Sequence, residues 1–286
     1  MPLVRFCLHL FPHAFCVRAC AASSTANFQR KAKEEGEHDI QTNLSVTQGA
    51  KTMGDEETSE QIYSVQFLDG DREKETWISR AGQASVVYAN GDRYTGEYNK
   101  TQQRHGTGLY KYNIKSPEDE EAPAQLAIYE GDFQLGKKHG MGKMVYPGGA
   151  IYNGSWVNNM RSGQGSYTYE NGDVFNGNWV DDKKSGHGSY YYKETGSQLI
   201  GEWKENTYIR GSCVHSDNTS LHCNWNGNTP VGTGVYYFAS NGNQLEGKFE
   251  TAQGEDEEVP PTTTWSSEVL TRSSVNSKDL IRAAAV

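Results

Sequence analysis

The sequence predicts an all-β protein: an elongated, single-layer antiparallel β-meander of hairpins with disordered termini. Three observations carry this. Gly131, Gly154 and Gly177 recur at intervals of 23 residues, and self-similarity at such a period marks a repeat array. In Tyr152-Asn153-Gly154-Ser155-Trp156 the large side chains alternate with period 2, which puts Tyr152, Gly154 and Trp156 on one face of a strand. Residues 158–162 and the pair Asn171-Gly172 supply turn chemistry on either side of a second strand, in which Gly165, Tyr167 and Tyr169 alternate in the same way.

Taken in order, residues 1–60 read as a disordered extension. Residues 1–30 carry Arg5, Arg18 and Arg30 and no acid, a composition like that of a transit peptide. Arg5, His9, Pro12 and His13 interrupt the apolar run that a secretory signal needs, and the run is too short to span a bilayer. Met53 opens the acidic stretch Met-Gly-Asp-Glu-Glu, so 1–52 is read first as sequence upstream of a start at Met53. An organelle-targeting segment and an ordinary disordered tail are the alternatives. Residues 61–81, with Tyr63, Val65, Phe67 and Trp77, form an atypical cap, because a terminal repeat faces solvent on one side.

The array occupies 82–249. Gly82, Tyr88 and Asn90-Gly91-Asp92 make the second half of a unit. Full copies follow: Tyr94, Gly96 and Tyr98 with Gly106, Gly108 and Tyr112; then Tyr129, Gly131 and Phe133 with Gly140, Gly142 and Tyr146. The next two are Tyr152, Gly154 and Trp156 with Gly163, Gly165 and Tyr169, and Phe175, Gly177 and Trp179 with Gly186, Gly188 and Tyr192. The pattern then decays. Leu199, Gly201 and Trp203 precede Gly211; Leu221, Cys223 and Trp225 precede Gly232 and Gly234; Leu245, Gly247 and Phe249 open a truncated unit. An insertion at 116–123, with four consecutive acids between prolines, reads as a solvated loop at a hairpin end. Residues 250–286 read as a disordered, acidic, Ser/Thr-rich tail.

Glycine weakens a strand unless something must approach closely, so we expect aromatic rings from adjacent hairpins to lie across the glycines. Such ring pairs add about 0.5–1.5 kcal/mol each beyond area burial. A lone hairpin is marginal and the array is stable only cooperatively. With strands about 4.8 Å apart, six hairpins make a plate roughly 55–60 Å long, a ruler rather than a pocket.

The chain's net charge of −9 argues against nucleic acid as a partner. Five cysteines, none in a CxxC pair, give neither a disulfide framework nor a zinc site. The stretch Gly136–Met144 misses the phosphate-loop spacing, with Met144 where Ser or Thr belongs. His105 and His139 occupy equivalent turns far apart in sequence and read as structural. No catalytic residue, metal ligand or cofactor site is expected. Arg104, Lys137, Lys138, Arg161, Lys183 and Lys184 fall at the same hairpin end in consecutive units. They read either as solvated turn residues or as a basic edge that docks an acidic protein or anionic lipid.

The recurring Tyr-x-Gly-x-Trp followed by Gly-x-Gly and an aromatic resembles the MORN repeat, over about residues 82–249. Among MORN proteins the chain is similar to radial spoke head subunits of motile cilia. Arg104-His105-Gly106, Lys138-His139-Gly140, the run Tyr192–Ser197 and the run Pro230–Gly234 carry that likeness. Cys223 in place of glycine, the acidic loop and the N-terminal extension depart from it. The resemblance implies a non-enzymatic scaffold in the cytoplasm and cytoskeleton, within the axoneme of the cilium or flagellum. It implies contacts with other radial spoke head and stalk subunits and the central-pair apparatus, and a homodimer within the spoke head. The competing readings are a MORN scaffold tethered to acidic phospholipid and a MORN module serving an enzyme, although the flanks are too short and polar for a catalytic domain.

Overall fold

The computed structural model describes residues 63–68, 81–114, 125–252 and 262–272, all within one compact unit, Glu60–Val286. The expected extension at 1–60, the acidic loop at 116–123 and Trp77 lie outside the described residues.

The described chain is all strand and turn. The first elements are β1 (Tyr63–Phe67), β2 (Gly82–Tyr88), β3 (Arg93–Tyr98) and β4 (Arg104–Ile114). The centre comprises β5 (Gln125–Gln134), β6 (Lys137–Val145), β7 (Ile151–Val157), β8 (Met160–Thr168), β9 (Val174–Val180) and β10 (Lys183–Tyr191). The far half holds β11 (Gln198–Lys204), β12 (Thr207–Val214), β13 (Ser220–Asn226), β14 (Thr229–Phe238), β15 (Asn243–Ala252) and β16 (Thr262–Arg272). All sixteen strands form one open sheet in sequence order, and every neighbouring pair is antiparallel. The predicted hairpin meander is the observed fold.

The β7–β8 hairpin is built by two local devices. The β7–β8 turn contains only Asn158 and Asn159, at φ 51° and 75°, the two-residue turn whose twist matches that of the flanking strands. Residues 160–162, expected in the turn, belong instead to β8. A bulge follows, where the register shifts between Gly154 and Trp156, and Gly163 opposite it adopts φ 94°, a conformation that favours glycine. The same device recurs at Gly106, Gly140 and Gly186. Thus the first glycine of each Gly-x-Gly serves the backbone, whereas the second serves packing.

The core is one face of the sheet. Tyr94, Tyr129, Tyr152 and Phe175 are fully buried, and Tyr98, Phe133, Trp156, Trp179 and Trp203 nearly so, while Asn153 and Met141 on the other face are exposed. β1 falls within the expected cap at 61–81, and the C-terminal end differs from the sequence reading: the tail expected to be disordered from 250 holds the end of β15 and all of β16. Its Thr-Thr-Thr-Trp run has the β-branched and aromatic character that strands favour, outweighing the polar composition.

Candidate functional site: a cation–aromatic spine between repeats

In the four units that begin at Tyr94, Tyr129, Tyr152 and Phe175, the second strand of the hairpin passes over an aromatic ring from the first. Tyr152 Oη donates a hydrogen bond to the Ser155 carbonyl at 3.0 Å, which folds the ring back across Gly154 and Gly165. A Cβ at Gly165 would enter the Tyr152 ring, and one at Gly154 would meet the Gly165 Cα and the Gln164 carbonyl. Tyr94 and Tyr129 repeat this through the Glu97 and Asp132 carbonyls, and Phe175 covers Gly177 and Gly188 without the hydroxyl. The covering ring therefore belongs to the same hairpin as the glycines, not to its neighbour as expected.

The contact between hairpins is made by the aromatic at the third motif position. Trp156 lies edge-on to Tyr152 of its own unit, with centroids 5.1 Å apart, and edge-on to Tyr129 of the preceding unit at 5.4 Å. Its indole N–H donates to the Gly142 carbonyl at 3.1 Å. Trp179 and Trp203 repeat the bond to Gly165 and Gly188, both at 3.3 Å. Phe133 stands 5.1 Å from both Tyr94 and Tyr129 and fills the same place without the donor.

The predicted basic edge divides in two. Lys137 and Lys183 are exposed, but Arg104, Lys138 and Arg161 are half-buried and Lys184 is buried, all four turned onto the aromatic face. Arg104 stacks 4.7 Å from the Tyr110 ring centre, Lys138 4.3 Å from Trp156, Arg161 4.5 Å from Trp179 and Lys184 4.8 Å from Trp203. These cations close the face with their aliphatic stems and hold their charge over ring faces that attract it. The continuous solvated edge expected at this end is thus replaced by an internal row. The alternation of strand residues decides which lysine of each pair turns inward.

The same four residues anchor the next turn. Asn159 N donates to the Lys138 carbonyl at 3.0 Å, and Lys138 N donates back to Asn159 Oδ1 at 2.8 Å. Asp182 and Arg161, then Asn206 and Lys184, repeat the reciprocal clasp. Arg161 adds an ion pair to Asp182, Nε to Oδ1 at 2.7 Å. Arg104 instead reaches the Gly136 carbonyl with Nη2 at 2.7 Å. Burial pushes the Lys184 amine down to about 7, helped by Arg161, and the Lys138 amine down to about 8, where Asp182 opposes and Arg161 and Arg104 assist.

At the opposite hairpin end, Asp92 and Asp173 are buried acids that order the Asn-Gly-Asp turns. Asp173 accepts from Asn171 Nδ2, Tyr190 Oη at 2.9 Å and Lys193 N at 2.9 Å. Asp92 does the same with Asn90, Tyr110 and Asn113. Sequence reading named Asp92 and Asn159 only as turn residues and did not single out Asp173, Asp182 or Asn206. For the clasp, the spacing of Asn159, Asp182 and Asn206, close to the repeat period, was the available signal.

The decayed units are repaired rather than empty. Where Leu199 replaces the first tyrosine, Tyr208 enters from β12, places its hydroxyl at Gly211 and donates to the Ile200 carbonyl at 2.9 Å. Where Leu221 replaces it, no ring covers the glycine position, and Cys223 occupies it against Gly234. Where Leu245 replaces it, Trp265 of β16 covers Gly247.

Among solved structures, the chain is similar to the TCP domain of SAS-4 (dCPAP) of Drosophila melanogaster, determined in complex with a proline-rich motif of Ana2 (dSTIL). Identity is 13% and the TM-score 0.35, over 66% of this chain and 92% of that one. Comparison with curated proteins gives no match. The units beginning at Tyr94, with its long insertion, and at Leu199, with its missing tyrosine, fall outside the stretches that a family model matches. Four stretches do match, residues 129–151, 152–174, 175–194 and 224–243, and the chain carries MORN repeats.

Proposed function

We propose that this protein is a non-enzymatic MORN scaffold of the axonemal radial spoke head, which presents a rigid sheet to other spoke subunits and to the central-pair apparatus. The observation that carries the scaffold reading is the continuous succession of paired strands in one sheet. Trp156, Trp179 and Trp203 each tie one hairpin to the one before, so load on any unit passes to its neighbours. The spoke assignment is supported by the motifs Arg104-His105-Gly106, Lys138-His139-Gly140, Tyr192–Ser197 and Pro230–Gly234. In the folded chain the first two contribute Arg104 and Lys138 to the cation row and a left-handed glycine each to a bulge. Fractionation of motile cilia tests the reading: the protein is expected in the salt-extracted axonemal fraction together with spoke subunits. Its recovery only from the membrane or soluble fraction refutes the spoke assignment.

The lipid-tethering alternative drew on six cations at one edge, of which two remain solvated. Flotation with anionic vesicles at physiological salt is expected to leave the protein unbound.

A further inference from the structure

The sheet ends on β16, and among the described residues no strand lies against its outer edge. On the inner side Thr262–Arg272 pairs with β15 through ten residue pairs. One register shift, between Glu246 and Gly247, leaves Glu268 without an opposite residue and bulges the strand there. The part before the bulge, Thr262–Ser267, is regular. Its sequence, Thr-Thr-Thr-Trp-Ser-Ser, holds no charge, no proline and no glycine.

Edge strands of soluble proteins ordinarily carry one of those features, because a regular uncharged edge accepts another strand. Alternate residues of an antiparallel strand turn N–H and C=O outward, and only a further strand satisfies the whole row. The other end of the sheet is not equivalent: β1 has five residues against eleven in β16.

We propose that Thr263–Ser267 pairs antiparallel with the same segment of a second copy, about a two-fold axis at Trp265, joining two arrays into one sheet. Three features select a second copy. The contact is self-complementary and closes after two chains, as homo-oligomer interfaces most often do. Antiparallel pairing continues the alternation that runs through every strand of the sheet. An axis normal to the sheet keeps both aromatic faces on one side. Trp265 already packs 4.6 Å from Phe249 and 5.1 Å from Tyr236, so the ring row continues across the joint through two indoles.

This register puts Thr264 opposite Ser266 of the second copy, and both are exposed in the single chain. The test is sedimentation of the full chain over a range of concentrations. Wild type is expected to show a monomer–dimer equilibrium with no larger species. Thr264→Lys with Ser266→Lys faces like charges across the joint and should weaken the dimer at least about tenfold, with the unfolding temperature unchanged. Thr264→Lys with Ser266→Glu faces opposite charges across the joint, sets each substituted position beside an opposite charge on β15 (Glu250 and Lys248), and should restore it. A monomer at every concentration overturns the proposal, and so does a dimer indifferent to the paired lysines. Growth beyond the dimer would mean head-to-tail joining through β1 and overturns it equally.

Discussion

The Lys138 ammonium lies 4.3 Å from the centre of the Trp156 ring and 5.6 Å from that of Tyr129, so one cation closes the seam between two successive hairpins. Lys138→Met keeps the aliphatic cover and removes the charge. A double-mutant cycle with Trp156→Leu should then report a coupling of about 0.5–2 kcal/mol in urea unfolding. The clasp to Asn159 runs through the Lys138 backbone and survives the substitution. Strict additivity of the two changes would mean that Lys138 merely passes over the ring.

Trp156 itself combines ring packing with an indole hydrogen bond. Trp156→Ala should cost about 3–5 kcal/mol, because a nearly buried ring leaves a cavity between two units. Trp156→Phe retains most of the packing and removes the indole donor to the Gly142 carbonyl, for about 0.5–1.5 kcal/mol. Hydrogen exchange should place the loss of protection at β6 and β7. Protection lost evenly over all strands would contradict a local seam.

The period, the hairpins, the buried motif face and the order of strands were legible in the sequence, because aromatic and glycine residues recur at one fixed spacing from Tyr129 to Trp179. The direction of the cations was not. Lys137 and Lys138 look alike in sequence, and only the strand phase after the turn decides that Lys138 turns inward. Nor could composition reveal that Tyr208, Cys223 and Trp265 repair the decayed units, since each comes from a different position and meets its glycine, or glycine site, only across the sheet. β16 was missed for a related reason: its apolar content is low, and pairing with β15 supplies what propensity alone does not.

The three atoms nearest to a Cβ at Gly165 all belong to the Tyr152 side chain, so Gly165→Ala in the parent should destabilise by about 1–3 kcal/mol through overpacking. In a Tyr152→Leu background the same change should cost far less, giving a favourable coupling in the cycle. Equal costs in both backgrounds would show that the backbone, not the ring, requires glycine there.

Stability should rise with pH between neutrality and about 10. The Lys184 amine has its folded value pushed down to about 7 by burial among Tyr169, Phe175, Tyr190 and Trp203, while an unfolded lysine titrates near 10.4. Between those values the unfolded chain binds a proton that the folded chain does not, so the unfolding free energy increases with pH, and the gain is lost as pH falls through about 7. Lys138, pushed down to about 8, adds the same sign over a narrower window. Above about 10 the direction reverses. Burial holds Tyr152 and Tyr190 well above the ordinary tyrosine value, so the unfolded chain releases phenolic protons that the folded chain retains. Urea midpoints at constant ionic strength from pH 7 to 9 should therefore climb for the parent and climb less for Lys184→Met. Parallel slopes in the two proteins would mean that Lys184 keeps its ordinary affinity for the proton in the folded state.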